Sequence, residues 1–260
     1  MRLIDTHCHL YSDVFNEDRE QAIANAKRMG VDRILLPNVD LQTVAGMHEL
    51  VENHPGVCYP MMGLHPCDVK SDYETEIAQL FSFFDTHTYC AVGEIGIDLY
   101  WDKTTQDIQE KAFLMQVEFA LSKSLPIAIH SRNATHRIIE ILKPYKSKGL
   151  TGVFHCFSES VELADEILKL GGFKLGIGGV LTFKNAGLPE VLKQIDLQHI
   201  ILETDSPYLA PVPYRGKTNN PSYVPFVAKL LGELRGSSSE AIGELTSHNF
   251  NQLFTRISAS

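Results

Sequence analysis

The chain has 260 residues, 44% of them hydrophobic, and a formal net charge of −9. That length suits one α/β barrel of about 250 residues, and the acidic balance disfavours tight non-specific binding to a polyanion. No apolar run reaches the ~18 residues of a membrane span, no apolar segment near the N-terminus reads as a secretory signal, and the five cysteines, at 8, 58, 67, 90 and 156, form no CxxC pair. Reduced thiols and a cytoplasmic location are therefore expected.

Short apolar runs alternate with helical periodicity along the whole chain. Residues 2–6 are predicted as strand one and 16–30 as the following helix, acidic in its first turn and stopped by Gly30. Strands two to four are predicted at 31–36, 57–62 and 89–92, with helices at 40–54, 71–86 and 104–124. Strands five to eight fall at 126–129, 151–154, 173–177 and 199–202, with helices at 135–142, 161–170 and 188–194 between them. Strands this continuously apolar are buried on both faces. Repeated strand–helix units of this kind specify an α/β fold, a single (β/α)8 TIM-type barrel spanning 1–260 as one domain. A proline-rich stretch beginning at Pro207 is longer than an ordinary connection and is expected to form a lid. Helices at 222–235 and 238–256 follow, the second being extra to the barrel repeat and N-capped within Ser237-Ser238-Ser239-Glu240.

Residues of metal-ligating type stand where the apolar strands stop. His7 and His9 end strand one, His65 strand three, Glu94 strand four, His130 strand five, His155 strand six and Asp205 strand eight. A barrel brings those ends to one mouth. His7 and His9 are spaced i, i+2, so in an extended chain both point one way. His7, His9, Glu94, His130, His155 and Asp205 exceed the needs of one tetrahedral ion. Two divalent ions (Mg, Mn, Zn or Ni) are expected, with Glu94 bridging them. His7, His9 and Asp205, on adjacent strands one and eight, would hold the first; His130 and His155 would hold the second. Gly93 and Gly96 leave the Glu94 carboxylate room. The other six histidines, at 48, 54, 87, 136, 199 and 248, fall on helices, helix ends or a strand start and read as structural. A pair of ions ~3.5–4 Å apart suits in-line displacement at phosphorus.

The segments Asp5-Thr6-His7-Cys8-His9, Gly63-Leu64-His65-Pro66, Gly93-Glu94-Ile95-Gly96-Ile97-Asp98, His130-Ser131-Arg132, His155-Cys156-Phe157-Ser158 and Leu202-Glu203-Thr204-Asp205-Ser206-Pro207 resemble the TatD family of metal-dependent deoxyribonucleases, within the amidohydrolase-like superfamily. The resemblance runs from residue 2 to about 221 and includes Arg215-Gly216-Lys217 and Asn219. It implies a metallohydrolase barrel acting on DNA ends or single strands, with 3′–5′ exonuclease activity in some members. It implies metal ligands at the same six positions. Glu94, where related hydrolases often bring a carboxylated lysine, favours the TatD branch.

On this reading a metal-bridging hydroxide attacks phosphorus and Asp205 takes the proton from the water. Glu203, two residues earlier, is a second catalytic candidate that orients a ligand or relays a proton. His65 and Arg132 rim the mouth as substrate-binding candidates for phosphate oxygens. Arg215 and Lys217 are candidates for bringing positive charge to the lid. Tyr100, Trp101 and Tyr208 are candidates either to stack on the bases of a single strand or to pack loops against the rim. The alternative function is hydrolysis of a small-molecule amide, ester or phosphate, which the same ions would serve. DNA is the expected partner; no membrane and no obligate protein partner are expected.

Overall fold

The computed structural model describes residues 2–257. Its strands follow one another around a single parallel sheet in the order β1 to β8. They are β1 (Leu3–Asp5), β2 (Val31–Pro37), β3 (Cys58–Met62), β4 (Ala91–Asp98), β5 (Ile127–Arg132), β6 (Gly152–Phe154), β7 (Phe173–Ile177) and β8 (Ile200–Leu202). Each is followed by a helix: α1 (Arg19–Arg28), α2 (Val44–Asn53), α3 (Tyr73–Ser82), α4 (Gln106–Ser122), α5 (Thr135–Leu142), α6 (Val161–Lys169), α7 (Leu188–Leu192) and α8 (Val224–Arg235), with α9 (Ser239–Leu253) as the extra C-terminal helix. The sheet closes between β8 and β1 just beyond the strands. The Thr6 N–H donates to Leu202 O (3.1 Å), Asp205 N–H to His7 O (2.9 Å) and His9 N–H to Ser206 O (2.8 Å).

Strand side chains alternate between two apolar layers, as the period of two requires. Leu3, Ile34, Leu36, Val92, Ile95 and Ile129 face outward into the layer beneath the helices. Ile4, Leu35, Met61, Ala91, Ala128, Val153 and Ile201 face inward and share a cluster with Phe250, Leu253, Phe254 and Ile257. Helix α9 and the turn after it thus plug the end of the barrel where the strands begin. Asn249 ties the helix there, its Nδ2 donating to Leu197 O (2.7 Å) and Ile200 O (2.8 Å). The opposite end is left as the mouth.

Three differences from the sequence reading matter for that mouth. Strand β4 covers 91–98 rather than 89–92, and β5 continues to Arg132, because Ile97–Ser131 and Asp98–Arg132 keep pairing after the apolar run has ended. The β4–β5 register slips between Val92 and Ile95. Such a bulge adds a residue to one strand, so Val92 and Ile95 both face the helices while Glu94 turns inward. A Cβ at Gly96 would run into the His130 carbonyl, so glycine is what lets the strands stay this close. Finally, β1 ends at Asp5 and the chain bends at Thr6–His7 before the second histidine.

Other element ends move by a few residues: the predicted helix 16–30 is α1 preceded by a 3-10 turn at Asp13–Phe15, and 71–86 divides into α3 and a 3-10 turn at Phe83–Asp85. The proline-rich segment carries no helix or strand among the described residues until the 3-10 turn Pro221–Tyr223. It is pinned by Asn219, whose Nδ2 donates to Thr204 O (2.7 Å) and Tyr208 O (2.6 Å). No described helix is long and apolar enough to cross a membrane.

Phe250→Ala should open a cavity in the plugged end and cost about 3–5 kcal/mol, read as a lower denaturant midpoint. Because Phe250 lies at the far end of the barrel, the metal content of the folded variant should match that of the wild type.

Candidate metal centre

At the mouth, Glu94 is 1% exposed and ringed by imidazoles. Its Oε2 lies 3.0 Å from His7 Nε2 and 3.4 Å from His9 Nε2. Its Oε1 lies 2.9 Å from both His130 Nδ1 and His155 Nε2, and 3.5 Å from His65 Nε2. The carboxylate therefore divides the pocket, one oxygen for each half. Asp205 Oδ1 stands 3.7 Å from His9 Nε2 and 3.9 Å from His7 Nε2, on the Oε2 side. The rings of His7 and His155 stack at 3.9 Å and join the halves. Among the described residues three groups have ligand atoms within 4.8 Å of one another: His7, His9 and Glu94; His7, His155 and Glu203; His65, Glu94 and His130.

The backbone that presents these groups is itself tied down. Asp5, fully buried, accepts from the His7 N–H (3.3 Å), the Thr204 N–H (2.9 Å) and the Thr204 hydroxyl (2.5 Å). It thus links the segment bearing His7 to the segment bearing Asp205. Asp205 adopts a left-handed backbone, φ 58°, which aspartate tolerates better than most residues. Glu203 Oε1 accepts from the Cys156 N–H at 2.5 Å and lies 3.6 Å from His155 Nδ1. The space for that carboxylate exists because β7 offers Gly176, where a Cβ would collide with Glu203.

Outer partners settle what several histidines offer the pocket. The Tyr11 hydroxyl has one proton, and it donates to Pro37 O (2.5 Å). It must then accept from His9 Nδ1–H at 2.9 Å, which leaves the His9 Nε2 lone pair facing Glu94 and Asp205. His130 donates Nε2–H to Asp98 Oδ2 (2.9 Å), so in the neutral ring the Nδ1 lone pair faces Glu94 Oε1. His65 is wired oppositely: its Nδ1 accepts from the Cys67 N–H (3.1 Å), which puts the proton on Nε2, the atom facing the pocket. Asp98 did not emerge as a site residue from the sequence. The signal for it was its place two residues beyond Gly96, on the strand face that Gly96 shares.

Lone pairs aimed at a carboxylate at about 3 Å require a positive charge between them. In the metal-free protein protons supply it. Burial opposes a charge on His155 and on His130, yet Glu94 with Glu203 in the first case, and Asp98 with Glu94 in the second, hold these imidazoles above their ordinary range. Burial would likewise raise Glu94, but the surrounding imidazoles, His155 foremost, with the hydrogen bond from His130, keep it well below the usual carboxylate range. Burial resists ionisation of Asp98 as well, but the bond from His130 and the Tyr100 amide bring it down to about 2. Burial and the neighbouring His155 push His7 down to about 3, so that ring is neutral. Burial raises Asp205 to about 6. His7 Nδ1, His155 Nδ1 and Glu203 Oε2 are buried and have no hydrogen-bond partner. Neutral imidazoles around ionised carboxylates are a donor set for divalent cations, and the residues present fit such ions.

Arg132 lies at the rim, its guanidinium 3.7 Å over the Tyr100 ring and 5.4 Å from Trp101. Arg215 covers the Phe183 ring at 3.7 Å and Lys217 lies 6.0 Å from that of Tyr214. The histidines read as structural find partners elsewhere: His48 bonds Tyr89 (2.7 Å) and stacks on His87 (4.0 Å), His54 bonds Glu20 (2.9 Å) and His248 bonds Gln252 (3.0 Å).

Comparison with known proteins places this architecture. The model of the family described as TatD related DNase matches residues 4–255. The chain is 39% identical to an uncharacterized metal-dependent hydrolase, YabD, of Bacillus subtilis, over 97% of this chain and 98% of that protein. It is 31% identical to a 3′-5′ ssDNA/RNA exonuclease TatD of Pectobacterium carotovorum, over 97% of this chain and 99% of that one. The crystal structure of YJJV, a TatD homologue from Escherichia coli K12, superposes with a TM-score of 0.91 at 30% identity, covering 98% of each chain. Matched along almost all of its length, the chain belongs to the TatD-related DNase family of metal-dependent hydrolases.

Proposed function

We propose that the protein hydrolyses phosphodiester bonds at single-stranded ends of nucleic acid, as a 3′–5′ exonuclease, with two divalent ions in the barrel mouth. The observation that carries the reading is the division of Glu94, Oε2 toward His7 and His9 and Oε1 toward His130 and His155. Family membership supports nuclease chemistry, and the name of the Pectobacterium relative supports the polarity and the single-stranded substrate. His7, His9 and Asp205 with Glu94 Oε2 would hold one ion, and His130 and His155 with Glu94 Oε1 the other. Bound there, such ions lower the pKa of water and neutralise charge on phosphate oxygens.

The chain's own groups do the rest. Asp205, whose Oδ1 faces His9 and His7 at 3.7 and 3.9 Å, receives the proton of the attacking water. His65, with Nε2–H facing the pocket, donates to a phosphate oxygen. Asp98 fixes the His130 ring, and Glu203 holds the Cys156 amide next to His155, so both act as positioning residues. Arg132 contacts the phosphate from the rim. The proline-rich segment begins beside the mouth, where the Tyr208 ring lies 6.3 Å from that of His9, and would serve as its lid.

Chelation should abolish cleavage of a labelled single-stranded oligonucleotide, and returning Mg, Mn, Zn or Ni should restore it, with metal analysis giving two ions per chain. Glu94→Gln should lower kcat at least ~10²-fold and reduce the bound metal below two; near-normal turnover with full metal would end the two-ion reading. Asp205→Asn should lower kcat ~10²–10⁴-fold, with KM for the oligonucleotide little changed, as steady-state kinetics would show.

A further inference from the structure

We infer that Tyr100, Trp101 and Arg132 form the platform on which an unpaired nucleobase stacks beside the reacting phosphodiester; this rests on the nuclease reading above and names the part of the substrate that the rim recognises. Tyr100 is 53% and Trp101 71% exposed. Large aromatic surface left in water forgoes the gain of burial, so these rings are not there to pack the β4–α4 loop against the rim. They meet edge to face at 4.9 Å and 89°, and the Arg132 guanidinium lies 3.7 Å over Tyr100. Arg132 is two residues beyond His130 on the same strand, above the mouth rather than out among the helices.

The placement of the rings is tied to the metal centre by a single side chain. Asp98 Oδ1 accepts from the Tyr100 N–H (2.8 Å) and the Trp101 N–H (3.2 Å), while Oδ2 accepts from His130 Nε2 (2.9 Å). The carboxylate that fixes a candidate ligand therefore also fixes the turn carrying both aromatics. Across the mouth, beyond β8, Tyr208 is 60% exposed with its ring 6.3 Å from that of His9. A base entering between these loops has its phosphate over the pocket and its π-face on Trp101. The guanidinium edge stays free to bond a phosphate oxygen. Within a duplex, base faces are covered by stacking and edges by pairing, so such a platform takes a single strand or a frayed end.

Trp101 is the only tryptophan of the chain, so its fluorescence reports the platform directly. The metal-loaded enzyme would be titrated with a nuclease-resistant phosphorothioate octathymidylate and with an abasic oligomer of equal length and charge. The thymidine strand should quench Trp101 saturably and bind at least about tenfold more tightly than the abasic one. Trp101→Ala should raise KM for unmodified octathymidylate about tenfold, and Trp101→Phe should restore most of the loss. Equal quenching by the abasic oligomer, or a wild-type KM in Trp101→Ala, overturns the platform, as does quenching by an apolar peptide with none by the thymidine strand. Failure of the metal-loaded wild type to cut octathymidylate would overturn the nuclease reading itself; cleavage with base-independent quenching overturns the platform alone.

Discussion

A carboxylate buried among imidazoles is the constraint that orders this molecule. Taking an ionised group out of water costs several kcal/mol unless opposite charge and hydrogen bonds replace the solvent. Glu94 has at most 1% of its surface in water, and five imidazole nitrogens stand within 3.5 Å of its two oxygens. Getting it there shapes the mouth. A bulge in β4 turns the side chain inward, Gly96 lets β5 lie against the bulged strand, and Asp5 stitches the seam where the first and last segments of the ring meet. Each lies at the mouth rather than at the plugged end, where α9 and the turn after it fill the interior with Phe250 and Phe254.

Imidazoles that look equivalent in sequence differ by what stands behind them. His9 and His65 follow strands and His130 lies within β5, but Tyr11 and Asp98 turn lone pairs of His9 and His130 toward Glu94, whereas the Cys67 amide turns a proton of His65 toward it. One arrangement suits a cation and the other an anionic oxygen. On the proposed assignment, candidate ligand and candidate substrate donor would be separated by a single hydrogen bond outside the pocket.

The barrel was legible in the sequence because its strands are buried on both faces and read as apolar runs between helical periods. The same pattern placed His7, His65, His155 and Asp205 where apolar runs stop, and they lie just past β1, β3, β6 and β8, whereas His130, expected at a strand end, lies inside β5. What apolarity could not reveal was pairing that outlasts it: β4 and β5 continue through Glu94, Gly96, Ser131 and Arg132 because backbone ladders need no apolar side chain. Glu94, read as a residue just past a strand, is inside one. Asp98 was missed for the same reason, since beyond a strand it looks like a loop aspartate, whereas within one it shares a face with Gly96 and reaches His130. The tautomers were beyond reach altogether, because Tyr11, Pro37 and the Cys67 amide come to the histidines only in the folded chain.

Charge gives a reason for the number of ions proposed. Glu94, Asp98, Glu203 and Asp205 place four carboxylates in or against the pocket, and the chain as a whole carries −9. A phosphodiester approaching that pocket without metal would meet these carboxylates only partly offset by the protonated His155 and His130, in a site that solvent screens little. One divalent ion would leave the four carboxylates in net excess by two. Two divalent ions would balance them, and the phosphate of the proposed substrate would then add its charge to a neutral centre. On the two-ion proposal an acidic chain would hold a polyanion at its metal centre and leave contacts further along the strand to stacking, which salt screens little.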